Sequence, residues 1–246
     1  MAAGFRCLTD DGYLQITDTQ VYFRLEGKAS LDASTTGWGQ YGNQGGSFRD
    51  VTFTGPSLSD APMLALSSAA GTWAKLIASS AGSLTYRITR TGAQVVDMYL
   101  FSARRPPATG GEFRLYDDSG NCIVNNAYPI ARPIGMLTRD GYSGVSVAGR
   151  KCAHVPLKQE TATYNLYQSS GLGSCTFNGQ PAYQITNTTG WIEGQVIATT
   201  GQVAGQTLRS IIGPVAYQCM QSNSPPIGSN FASVEWQAMI LDVTGM

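Results

Sequence analysis

The chain has 246 residues and a formal net charge of zero, and only 13% of it is Asp, Glu, Lys or Arg, about half the usual share. No basic stripe is present to neutralise phosphates, which argues against nucleic-acid binding. No run approaches the roughly 20 apolar residues of a membrane span.

With 42% hydrophobic residues, the length supports a real core in one large or two modest domains. Gly, Ser, Thr, Asn and Gln fill the place of the missing charges, as in turn-rich all-β folds. Zero net charge gives little electrostatic protection against self-association, which suits a subunit of an assembly.

At the N-terminus, Asp10 and Asp11 interrupt the chain before the apolar core of a secretory signal could accumulate. The expectation is a product made and kept in a cytoplasm unless lysis releases it. Thr9-Asp10-Asp11-Gly12 is a turn between the strand-like runs Phe5–Leu8 and Tyr13–Ile16. Gly37-Trp38-Gly39-Gln40-Tyr41-Gly42 matches the dinucleotide-binding spacing. Its continuation, Asn43-Gln44-Gly45-Gly46-Ser47, cannot open the helix that chemistry needs. The segment reads instead as a loop carrying Trp38 and Tyr41, the candidate ligand- or partner-binding residues. Their rings either stack on a sugar or dock in a partner pocket, or they fold onto their own domain.

Ala69–Ala81 has apolar residues at helical spacing, but Gly71, Thr72 and nearby serines favour two short strands around a turn at Gly71. In Leu84–Thr89, Leu84, Tyr86 and Ile88 share one face, the mark of a half-buried strand. Val95–Phe101 is too continuously apolar for a surface strand and belongs at the centre. Arg104–Gly111 is a loop, and Asp117-Asp118-Ser119-Gly120-Asn121 turns between Phe113–Tyr116 and Cys122–Val124. Phe177-Asn178-Gly179-Gln180 is the clearest hairpin, because Asn-Gly supplies positive φ angles. Thr207–Ile212 could form one helical turn, and Ser222–Ser229 reads as a long loop. Val234, Trp236, Ala238 and Ile240 give a late strand one apolar face.

The predicted fold is therefore all-β, with two antiparallel sandwich-like units and long Gly/Ser/Asn-rich loops. A break around Pro129, Pro133 and Gly135 divides it into 1–135 and 136–246. The final strand has the alternative of pairing back into the first sheet.

Residues that could carry chemistry are sparse. His154 is the only histidine and follows Cys152 by two, so on a strand they share a face about 7 Å apart, too far for a nucleophilic pair. No paired Cys or His motif completes a zinc site. Asp10, Asp11, Asp117 and Asp118 read as turn formers rather than paired acids of a hydrolase or a calcium loop. Gly141-Tyr142-Ser143-Gly144 misses the nucleophile elbow by one position, and Asn187-Thr188-Thr189 carries no weight as a glycosylation acceptor without a secretory signal. Cys7, Cys122, Cys152, Cys175 and Cys219 are dilute and odd in number, so they read as unpaired small hydrophobes. No catalytic residue, cofactor or metal is expected, and the chain is read as a non-enzyme.

Three stretches together resemble a family. They are the opening Gly4-Phe5-Arg6-Cys7-Leu8-Thr9-Asp10-Asp11-Gly12-Tyr13-Leu14-Gln15-Ile16, the central run from Glu112 to Asn125 after Tyr99-Leu100-Phe101, and the closing Met239-Ile240-Leu241-Asp242-Val243-Thr244-Gly245. They are similar to small accessory proteins encoded in the tail modules of long-tailed bacteriophages of Gram-negative bacteria. The resemblance implies a structural component of the virion tail at the tip, baseplate or fibre region, assembled in the host cytoplasm. Its partners would be other tail proteins and further copies of itself. It brings no catalytic residues. The alternative expectation is a host-recognition module that binds a surface receptor or glycan through Trp38 and Tyr41.

Overall fold

The computed structural model describes residues 5–9, 12–16, 22–41, 46–117, 119–139, 141–142, 147–159, 161–169, 172–211, 216–220, 228–230 and 235–246. Asp10, Asp11, Asp118, Ser143 and residues 222–227 of the expected late loop lie outside them, as do the side chains of Cys7, Tyr41 and Asn187–Thr189. Strands β1 (Phe5–Thr9) and β2 (Gly12–Ile16) pair as a hairpin, with Thr9 opposite Gly12. Next come β3 (Arg24–Leu31), β4 (Gly39–Tyr41) and β5 (Gly46–Thr54), then a 3-10 turn at Leu58–Asp60. β6 (Met63–Ser80), β7 (Ser83–Thr91) and β8 (Val96–Ser102) follow, and β9 (Arg114–Tyr116) and β10 (Cys122–Asn125) make a second hairpin.

The remaining strands are β11 (Pro133–Thr138), β12 (Gly141–Tyr142), β13 (Cys152–Gln159), β14 (Thr161–Ser169), β15 (Cys175–Phe177) and β16 (Gln180–Thr199). After them run β17 (Gln202–Ile211), β18 (Ala216–Met220), β19 (Gly228–Asn230) and β20 (Trp236–Asp242). The fold is all-β, and among the described residues the strands outside the two hairpins form one 16-stranded antiparallel network.

β6 organises that network. Its even-numbered apolar residues Leu64, Leu66 and Ala74 enter a core built with Leu31, Phe53, Leu84, Tyr86, Ile88, Val96, Met98 and Leu100. On the opposite face, Trp73 enters a second core with Leu137, Cys152, Val196, Val203, Trp236 and Ile240. Ala65, also on that face, joins a third cluster with Tyr99, Phe101, Val155 and Leu241. Successive side chains of a strand point to opposite faces, so β6 forms a wall shared between cores.

The strand changes partners along its length. It pairs with β8 over Met63–Ser67 and with β7 over Thr72–Ser80, and it meets β13 at Leu66 and β16 at Ser68 and Thr72. The turn expected at Gly71 does not form; β6 runs through it. Hydroxyl groups bond the backbone at the change-over. Ser68 Oγ donates to the Val95 carbonyl at 2.7 Å and accepts from Ala70 N at 3.1 Å, while Gly71 N donates to Thr91 Oγ1 at 3.1 Å. The Ser68 and Thr91 hydroxyls thus keep the strand continuous through the change of partner.

Several expected elements stand where the sequence placed them. β7 buries Leu84, Tyr86 and Ile88, and β8 lies between β3 and β6. At Asn178 and Gly179 φ is 51° and 75°, and Phe177 pairs with Gln180 across that two-residue loop. Thr207–Ile212 is a different case: β17 runs as a strand to Ile211, because ten consecutive residues pair with β16. The expected division at 135/136 falls inside β11, and β6 bonds to β13 and β16 beyond it. The final strand, β20, pairs with β11 and β13.

Trp236 shows how the second core closes. Its ring lies over Gly194 of β16 and Gly205 of β17, where any Cβ would collide with the indole. Gly194→Ala or Gly205→Ala is expected to lower stability by about 1–3 kcal/mol through overpacking. Trp236→Ala should abolish that added cost, which urea unfolding of the single and double variants measures. An equal cost in both backgrounds would contradict this packing.

Candidate functional site

The sequence singled out the loop carrying Trp38, and a cation it did not single out holds that loop. After β3 ends, Asp32–Trp38 crosses the end of the first core. Arg90 of β7 reaches it, with only 1% of its surface exposed. Its Nη1 donates to the Asp32 carbonyl at 2.9 Å and to the Gln94 carbonyl at 2.6 Å, and its Nη2 donates to the Ser34 carbonyl at 2.6 Å. The guanidinium carbon stands 3.7 Å over the Trp38 ring, a desolvated cation–π contact. Desolvation pushes the Arg90 pKa down, yet an arginine stays charged. Among the described residues neither Arg90 Nε nor Trp38 Nε1 has a hydrogen-bond partner.

Trp38 is therefore part of the first core, at 9% exposure, and not a ring presented to solvent. Of the two expectations for this residue, folding onto its own domain describes its position. The physical reason is the buried Arg90 charge, which needs an aromatic face as well as carbonyls. β4 follows directly and pairs with β5, so the glycine-rich pattern opens a strand, not a helix. At Gly39 a Cβ would meet the Phe48 ring, which covers the glycine from across the pair and carries the Arg87 guanidinium 4.5 Å above it.

The turn at Asp117 is a closed structural unit. Its Oδ1 accepts from Ser119 N at 3.0 Å and Asn121 N at 2.8 Å, and its Oδ2 accepts from Arg105 Nη1 at 2.7 Å. Hydrogen bonds from Asn121, with Arg105 beside them, hold the carboxyl down at about 2. An acid so stabilised in its charged form does not donate protons near neutrality. Among the described residues no group of three His, Cys, Asp or Glu stands where it could hold a metal ion.

His154 and Cys152 share one face of β13, and Ala153 and Val155 on the other face are buried as well. The His154 ring lies 6.2 Å from that of Trp73 and is fully enclosed. The backbones of Leu66 and Thr72 favour its charged form, but among the described residues neither ring nitrogen closes a hydrogen bond of good geometry. Burial dominates and pushes the imidazole down to about 3. Burial likewise pushes the Cys152 thiol up, so it is no ready nucleophile.

The expectation that all cysteines are unpaired needs correction. Cys175 of β15 and Cys219 of β18 form a disulfide, with Cα atoms 6.1 Å apart. The register explains it, since the two lie opposite Ala182 and Gln184, two positions apart on β16. Cys122 and Cys152 are buried thiols. Sequence reading also missed two polar clusters. Lys151 Nζ and Ser30 Oγ each donate to Asp97 at 2.8 Å. Glu26 accepts from Arg24 at 2.8 and 3.1 Å and from the buried Ser102 hydroxyl. No periodicity or motif marks these residues, because Lys151, Ser30 and Ser102 reach their carboxylates across long sequence separations.

The chain matches no protein-family model, no curated protein and no solved structure at a significant level.

Two predictions follow from the buried cations and rings. Trp38→Ala is expected to lower the unfolding free energy by about 3–5 kcal/mol in urea titrations. Arg90→Lys should also destabilise, since an ammonium cannot reproduce the planar fork that reaches three carbonyls. A wild-type midpoint for either variant would contradict the Arg90–Trp38 contact.

An unfolded histidine takes up a proton below about 6.5, while the folded His154 stays neutral until about 3. The stability it contributes is complete above the unfolded value and is lost as pH falls toward the folded one, at up to about 1.4 kcal/mol per pH unit. His154→Leu should flatten the fall in stability between about pH 6.5 and 5, above the range where carboxylates titrate. Equal slopes in the two proteins would remove the effect.

Proposed function

We propose that this chain is a non-enzymatic structural component of a bacteriophage tail, in the tip, baseplate or fibre region, that acts by subunit–subunit assembly. The observation that carries this reading is a charge-poor, all-β chain on which several large apolar side chains stand open. Leu58, Leu157 and Leu172 are more than half exposed, and Phe177 and Phe113 nearly so. Scattered exposed apolar residues are ordinary, but here few charges accompany them, and contact with neighbouring protein would remove them from water. The similarity of the opening, central and closing stretches to accessory tail proteins supports the same reading. Its partners are other tail proteins and further copies, and its place is the virion.

A host-recognition role for this loop needs a free aromatic face, and Trp38 is buried under Arg90. The engaged carboxylate of Asp117 supports a structural rather than a catalytic role for its turn. Mass spectrometry of purified particles tests the proposal, together with electron microscopy of particles made without the gene. The expected outcome is that the chain is found in the particle and that tails made without it are incomplete. Intact, infectious particles lacking the chain would overturn the reading.

A further inference from the structure

Between Thr161 and Val234 only Glu193 and Arg209 carry charge, although the rest of the chain holds the other acidic and basic residues. That segment supplies β14 to β19. β16 is paired on one side with β14 over Ile185–Glu193. β17 pairs with it over Gly190–Thr199, and β18 over Tyr183–Asn187. The β17 and β18 registers follow one another along β16, so they act as one long partner strand. Among the described residues neither β17 nor β18 pairs with any strand but β16. Their outer edge presents backbone N–H and C=O groups over ten residues of β17 and five of β18.

Natural sheets blunt such edges with charge, proline or bulges. The long edges in the first half follow this rule. β3, paired with β8, carries Arg24, Glu26 and Lys28, and β5 beyond β4 carries Arg49 and Asp50. The β17–β18 edge carries Arg209 alone. We propose that this edge is an assembly surface that pairs, strand to strand, with the same edge of a second copy of the chain.

A second copy is the occupant that the charge pattern favours. An acidic partner would find one cation on this edge, and a basic partner would find no anion. Two antiparallel edges related by a two-fold axis present the same row of donors and acceptors and so complement each other. Every register but the one centred on Arg209 places that residue opposite a neutral one. The chain's zero net charge adds no repulsion between copies. Main-chain bonding supplies the contact, as in other strand additions. The inference deepens the assembly reading and rests on it for its place in a particle.

Sedimentation velocity of the full chain over rising concentration tests it. The expected species has twice the chain mass and dissociates on dilution. Hydrogen exchange across residues 202–211 should slow as the species forms. Gln206→Lys with Ser210→Lys, checked for folding by circular dichroism, should abolish the species by setting like charges against each other. A chain that stays monomeric at high micromolar concentration would overturn the proposal. So would a dimer with exchange in β17 independent of concentration, and that readout needs no variant. Absence of the chain from purified particles counts against the tail role and leaves this pairing standing.

Discussion

Coverage of β6 on both faces is the constraint from which the rest of the molecule follows. A strand that sends Leu64, Leu66 and Ala74 one way and Trp73 and Ala65 the other must be covered on both sides. β8 and β7 supply the first side in succession, and the strands of the second half supply the other. The change of partner would leave backbone groups unbonded around Ala69–Gly71, and the hydroxyls of Ser68 and Thr91 bond them. A buried polar backbone group without a partner costs about as much as a lost hydrogen bond. These hydroxyls are therefore as much part of the core as the leucines beside them.

Buried polar groups elsewhere show two different solutions to the same problem. Arg90 keeps its charge and is matched by three carbonyls and an indole face, which in turn fixes the loop after β3. His154 gives up its charge, held neutral by burial between β6 and β20. The first ties a loop to the core, and the second makes the core sensitive to acid. Neither presents a reactive group to solvent. Charge is concentrated in the first half, on long edge strands and in small ion-pair clusters, and almost missing from β14 to β19.

Much of the fold was legible without coordinates. Period-two alternation marked β7 and β20, continuous apolarity marked β8, and Asn178-Gly179 marked the β15–β16 turn. Each is a local signal, carried by residues near one another in sequence. The same local reasoning placed a turn at Gly71 and a helical turn near Thr207, because it could not see the partner strands that keep both segments extended. It left Trp38 two fates, meeting a ligand or partner or folding onto its own domain, and could not see what decides between them. Arg90, more than fifty positions later, is what covers that ring, and nothing near Trp38 announces it.

By itself the sequence determined the secondary-structure class, the principal hairpin and the scarcity of charge, since backbone preference, side-chain alternation and composition act over short distances. Tertiary structure alone decided which cysteines join, which aromatic is buried, and that residues on either side of position 135 share β6 as a wall. Those outcomes depend on strand register, and register is set by long-range hydrogen bonding and by which faces must be buried together.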